Sequence, residues 1–129
     1  MCLILRWNRK PEIAQEDMTC WKVIKPFDNY KWEAPYRCTV HNYDEVLTAC
    51  DRLSVKPWFN GIPYFDYIEE GFYACTNEDI ALYQLNNLVC FNSSHSLAKC
   101  TIPKGAEYCL GWYSEIVANK MIVHKPKEI

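Results

Sequence analysis

Gly71-Phe72-Tyr73-Ala74-Cys75-Thr76-Asn77-Glu78-Asp79-Ile80-Ala81-Leu82-Tyr83 is the stretch from which the fold is read. The acidic Glu69-Glu70-Gly71 is turn-like, the aromatic and apolar Phe72 to Cys75 suits a strand, and Thr76 is placed to start a helix. Thr76 can accept a backbone hydrogen bond while Asp79 reaches back, and Ala81, Leu82, Leu85 and Leu88 share one helical face. Asn86-Asn87 supplies the stop, because Asn tolerates left-handed backbone. Turn, strand and capped helix in succession predict a mixed chain of helix and sheet.

Toward the C-terminus the pattern is strand-rich. Residues 88–91, 97–102, 107–110, 115–117 and 121–124 read as strands, with Pro103-Lys104-Gly105 as a turn that needs Gly at positive φ. Asn119-Lys120 suits a bulge or tight turn. Toward the N-terminus, residues 3–7, 19–25, 36–40 and 64–68 read as strands, and residues 11–17 as irregular or a single helical turn. Segments 27–35 and 54–63 read as loops, the first aromatic-rich and the second punctuated by Pro57, Gly61 and Pro63. Asn42-Tyr43-Asp44-Glu45 has the spacing of a capping box, and Val46, Leu47, Cys50 and Leu53 then share a face, which predicts a helix over residues 43–53. The expected fold is α+β: one compact domain over residues 1–129, mostly antiparallel sheet with about two helices.

A chain of 129 residues is long enough to bury a core without staples, and its balance of 50% hydrophobic and 23% charged residues is that of a globular protein. The formal net charge of −2 argues against nucleic acid as the main partner, since gripping phosphates needs a basic surface, while a small anion needs only a few local Lys or Arg. The run Met1-Cys2-Leu3-Ile4-Leu5 is interrupted by Arg6 and is too short for a signal-peptide core or a membrane span, so a cytoplasmic location is expected. None of the eight cysteines is spaced C-x-x-C. Cys75, Cys90, Cys100 and Cys109 lie in apolar segments where reduced thiols act as small hydrophobes; disulfides and a metal site are the alternatives.

Candidate chemistry is sparse. His41, His95 and His124 share no ligand spacing, Ser93, Ser94 and Ser96 lack a nucleophile elbow, and four glycines build no phosphate-cradling loop. Arg37 is either an outward strand residue or an anion contact. The five Trp, nine Tyr and five Phe fall partly in expected loops, where an aromatic face can stack a nucleobase for roughly 1–3 kcal/mol, or simply pack.

Glu70-Gly71-Phe72-Tyr73-Ala74-Cys75, the run Lys99-Cys100-Thr101-Ile102-Pro103-Lys104-Gly105-Ala106-Glu107-Tyr108 and Glu115-Ile116-Val117-Ala118-Asn119-Lys120-Met121-Ile122 resemble segments of short accessory proteins encoded by phages and prophages of gut bacteria. The resemblance implies a protein made inside an infected host, with counter-defence as one role. More faintly, Gly71-Phe72-Tyr73-Ala74 followed by Ala81 and Tyr83 is similar to the strand and helix of the ADP-ribosyltransferase fold. That resemblance implies a catalytic Glu115 at the head of a later strand, Tyr73 or Tyr83 stacking nicotinamide, and Arg37 on an NAD phosphate. Without it, Glu115 reads as a solvent-facing strand residue near a turn. Two functions are therefore expected: non-catalytic binding of a nucleotide-derived ligand or a host protein, or an ADP-ribosyltransferase-like enzyme using NAD. No cofactor is assigned.

Overall fold

The computed structural model describes residues 3–4, 10–34, 39–57, 66–68, 70–87 and 94–126. Among these residues it contains thirteen strands and one helix, and every strand pair is antiparallel. The strands are β1 (Leu3–Ile4), β2 (Glu12–Ile13), β3 (Met18–Pro26), β4 (Lys31–Glu33), β5 (Val40–Asn42), β6 (Val46–Thr48) and β7 (Val55–Pro57). They continue with β8 (Asp66–Ile68), β9 (Phe72–Cys75), β10 (Ser96–Ile102), β11 (Glu107–Leu110), β12 (Glu115–Ala118) and β13 (Lys120–Val123), and α1 (Glu78–Asn87) lies between β9 and β10.

The large sheet runs β2-β11-β12-β9-β3-β10-β13-β6, with β4 and β5 added on the edge of β3, and β1-β8-β7 form a small second sheet. Strands β12 and β13 are one run of chain, broken only at Asn119. Since β12 pairs with β9, β9 with β3, β3 with β10 and β10 with β13, the pairing returns to the run where it began. The sheet is thereby rolled around the residues on its inner face. That face carries Cys20, Ile24, Ala98, Cys100, Ile102, Ile116, Ala118, Met121 and Val123, all fully buried. On the outer face, Cys109 and Val117 join Leu53 and Ile68 in a second, smaller core beneath the small sheet.

The bend at Asn119 is held by a buried polar knot. Its N–H donates to the Glu107 carbonyl (3.0 Å) and its own carbonyl accepts from the Ala49 N–H (2.8 Å). Its side chain accepts from the Glu107 N–H (2.8 Å) and donates to the Asp51 carbonyl (2.9 Å). The Glu107 carboxylate, buried beside it, accepts from the Leu53 N–H at 2.6 Å and from Arg52 Nε at 3.3 Å.

Strand β3 covers the expected second strand, and β10, β11, β12 and β13 match the expected C-terminal strands to within a residue or two. Gly105 adopts φ 90° in the turn foreseen for it. The helix expected over residues 43–53 is absent. Asp44 has φ 56°, which no α-helix tolerates, and Val46–Thr48 pairs with β13 as a strand. The Asn42 and Glu45 side chains bond to each other (2.8 Å) across a turn, instead of to the helix-start N–H groups of a capping box. Pairing to β13 satisfies one side of this backbone, and a local capping signal is outweighed by an open strand edge.

The remaining helix begins one residue later than expected. Asn77 is its cap, accepting from the Ile80 N–H (3.1 Å), while the Thr76 hydroxyl donates to the Ser114 carbonyl (3.3 Å). Glu78 and Asp79 complement the positive end of the helix. Ala81 is buried, but Leu82 of the expected core face is 43% exposed, and Leu88 lies outside the described residues. Segment 11–17, expected to be irregular, contributes β2 to the sheet edge, and the two expected loops contain β4 and β7. Of the strands expected over residues 64–68 and 3–7, Asp66–Ile68 forms β8 and Leu3–Ile4 forms β1, while the rest of both, most of residues 36–40 and all of 88–91 lie outside the described residues.

Replacing Asn119 by Ala leaves the buried Glu107 N–H and the part-buried Asp51 carbonyl without their partner. It is expected to lower the unfolding free energy by about 2–4 kcal/mol in urea denaturation. A Cβ at Gly71 would stand 2.5 Å from Val117 Cγ2 and 3.2 Å from the Ala118 carbonyl, whereas one at Gly105 meets nothing within 4 Å. Gly71→Ala should therefore cost about 1–3 kcal/mol through overpacking, and Gly105→Ala about 1–2 kcal/mol through its backbone conformation alone.

Candidate functional site

The inner face of β3 has one exception to its apolar character. Cys20 and Ile24 are fully buried, and between them, on the same face, stands Lys22. Its ammonium donates to the Tyr73 carbonyl at 2.6 Å. Where β9 leaves the edge of β3, β4 takes over, pairing Trp32 with Pro26 and His41 of β5 with Trp32, so all three point to the face that bears Lys22. Trp32 is fully buried, its ring centroid lies 4.9 Å from that of His41, and His41 lies 5.9 Å edge-on from Phe72. Lys22, His41 and Phe72 are half-buried, so this end of the roll grades from core to surface.

Two features of the group are energetically open. The buried Trp32 Nε1–H has no acceptor among the described residues, and an unmet buried donor costs about 1–3 kcal/mol. Burial, and then the nearby Lys22 charge, lower the His41 pKa from its ordinary value of 6.5, which favours the neutral ring. A cation, a neutral imidazole, an indole donor and a phenyl edge together suit a planar ligand that carries negative charge.

The residues singled out from sequence are distributed unevenly. Arg37 lies outside the described residues, as do Trp58 and Phe59. Glu115 stands opposite Cys75 and Val117 opposite Tyr73, so Tyr73 and Glu115 share the outer face of neighbouring strands. The Tyr73 hydroxyl donates to the Ile68 carbonyl at 2.6 Å and ties β9 to the small sheet. Tyr83 is 65% exposed on α1, on the side turned from the sheet. Burial pushes the Glu115 carboxyl above the ordinary carboxylate range, and burial together with the Glu115 charge pushes the Cys75 thiol up. Cys20, Cys75, Cys100 and Cys109 are buried free thiols, and Cys50 is a half-buried one. Among the described residues no group of three or more His, Cys, Asp or Glu is placed to hold a metal ion, and no helix is long and apolar enough to cross a membrane.

Reading the sequence residue by residue gave Lys22 no role, weighed His41 only as one of three histidines without shared ligand spacing, and left Trp32 within the aromatic-rich segment 27–35. The available signal was the alternation Cys20-x-Lys22-x-Ile24, which sets a lysine in the more deeply buried row. The stronger signal of Trp21 and Val23 pointed to the opposite face. Comparison of the chain with protein-family models, with curated proteins and with solved structures returns no match.

The two shifted groups set opposite pH dependences. His41 is held neutral when folded, so its contribution to stability is complete above about pH 6.5 and is lost as pH falls toward its lowered folded pKa. Burial favours the protonated form of Glu115 in the folded state, so its contribution is complete below about pH 4.5 and is lost as pH rises through its raised folded pKa. Thermal unfolding between pH 4 and 8 should show Glu115→Gln raising Tm at pH 7 with little effect at pH 4. His41→Phe should flatten the loss of stability below pH 6.5.

Proposed function

We propose that the protein is a cytoplasmic accessory factor of phage type that binds a small nucleotide-derived anion, without turning it over, at the end of the roll formed by Lys22, Trp32, His41 and Phe72. The observation that carries this reading is the Trp32 indole N–H, fully buried and without an acceptor among the described residues, beside a lysine on the inner face. A ligand carbonyl or phosphoryl oxygen would meet that donor, a base would lie against the Phe72 and His41 rings, and the Lys22 ammonium would oppose the negative charge. Sequestering a nucleotide signal in this way is a counter-defence role consistent with the phage-type resemblance.

Titration with nucleoside phosphates and dinucleotides, followed by Trp fluorescence and thermal shift, tests the proposal, with inorganic phosphate as the control for anion binding alone. At least one nucleotide should raise Tm and change the fluorescence. Lys22→Met, which keeps the volume of the side chain, should weaken that binding at least tenfold. The reading fails if no nucleotide binds, or if binding is indifferent to both Lys22→Met and Trp32→Phe.

A second reading, ADP-ribosyl transfer from NAD through Glu115, is favoured by the placement of Glu115 and Tyr73 on one face of adjacent strands. Its mark would be nicotinamide release from NAD that disappears in Glu115→Gln. Unchanged NAD after prolonged incubation would remove it.

A further inference from the structure

On the outer face of the sheet, away from the Lys22 group, three side chains from three separate segments join in a line. The Thr101 hydroxyl lies 2.8 Å from His124 Nε2, and His124 Nδ1 lies 2.9 Å from Asp44 Oδ1. A carboxylate only accepts, so Asp44 places the imidazole proton on Nδ1. In the neutral imidazole Nε2 is then the acceptor and the Thr101 hydroxyl the donor to it. Hydroxyl, imidazole and carboxylate stand in the order that makes a hydroxyl nucleophilic.

The backbone holds each member in place. Thr101 lies on β10 between Cys100 and Ile102, both fully buried. The His124 N–H donates to the Lys99 carbonyl (3.0 Å), and the Asp44 N–H donates to the Val123 carbonyl (2.9 Å). The left-handed backbone that aims Asp44 (φ 56°) is one that Asp adopts more readily than most residues. The line is also reachable from solvent, since the His124 and Asp44 side chains are 39% and 61% exposed. Two exposed lysines share this face: Lys99, two residues before Thr101 on β10, and Lys120 on β13.

We propose that Thr101, His124 and Asp44 form a nucleophilic triad that takes the acyl group of a small activated ester. Thr101 Oγ bonds to the ester carbonyl carbon while its proton passes to His124 Nε2. The carbon–oxygen bond to the leaving group then breaks, and the leaving oxygen takes that proton. In the second half, water attacks the acyl-threonine, gives one proton to Nε2 and releases the carboxylic acid as the proton returns to Thr101 Oγ. The sum is ester plus water to acid plus alcohol, with no redox change. Asp44 stabilises the imidazolium formed in each half. Lys99 supplies positive charge on the face where the oxyanion develops, in place of backbone donors, which in this part of β10 belong to the sheet. This weaker stabilisation restricts the site to esters with good leaving groups, and amides are not expected to react.

p-Nitrophenyl acetate is the probe, with release of p-nitrophenol and mass spectrometry of the quenched full-length protein as readouts. The expected result is an acetyl group on Thr101, trapped at short times, and hydrolysis at least tenfold slower in Thr101→Val and in His124→Gln. Asp44→Asn should be slower by a smaller factor, and Thr101→Ser, which keeps the hydroxyl, should keep or raise the rate and still carry the acetyl group at position 101, where a merely structural hydroxyl would carry none. Circular dichroism and thermal unfolding of each variant separate loss of chemistry from loss of fold. The proposal is overturned if the acetyl group maps only to lysines, or if folded Thr101→Val and wild-type protein release p-nitrophenol at the same rate.

Discussion

The architecture depends on the bend at Asn119. A straight continuation of β12 would carry the chain past the edge of the sheet. The bend turns it back as β13, onto the far side of β10. All four polar groups of Asn119 are satisfied, by Glu107, Ala49 and Asp51, and the neighbouring Glu107 carboxylate is spent on Leu53 and Arg52. Buried polar groups are stabilising only when every member is paired, and here they are paired to the segment of residues 49–53, which packs over the second core. Closure of the roll, position of the 49–53 segment and burial of Leu53 are therefore one constraint seen from three sides.

Once the sheet is closed, its two faces have different fates. The inner face is apolar except at the end where β9 gives way to β4, and there Lys22, His41 and Trp32 are drawn into partly desolvated surroundings. The outer face is divided. α1 lies over β3, β9 and β10, and the small sheet covers the second core beside β12, leaving the stretch with Thr101 and His124 open to solvent. The inner group is suited to holding a charged planar molecule in a low-dielectric setting, and the outer line is suited to moving a proton. They share no residue, so either can be removed without touching the other.

Much of the sheet was legible in the sequence because local signals and tertiary demands agreed. The alternation of β10, with Ala98, Cys100 and Ile102 inward and Lys99 and Thr101 outward, needs no partner to be recognised. The same holds for Gly105 in its turn and for the strand from Phe72 to Cys75. Residues 43–53 show the opposite case. Asn42, Glu45 and the apolar spacing that follows are a sound helix signal, yet the exposed edge of β13 offered the Val46–Thr48 backbone a strand partner along one side. Thr76 and Asn77 are both competent caps, and Thr76 was claimed by the Ser114 carbonyl across the sheet, so the helix started at its neighbour.

By itself the sequence determined the sheet-rich class, the position of α1 to within a residue or two, and the turn at Gly105, because each follows from the preferences of neighbouring residues. Only the tertiary structure decided which row of β3 faces inward, that the break the sequence places at Asn119-Lys120 returns the chain to the far side of β10, and that Asp44, Thr101 and His124 meet. Those outcomes depend on pairings between residues tens of positions apart, and the register of such pairings is set by the closing of the whole sheet. No stretch of local sequence records it.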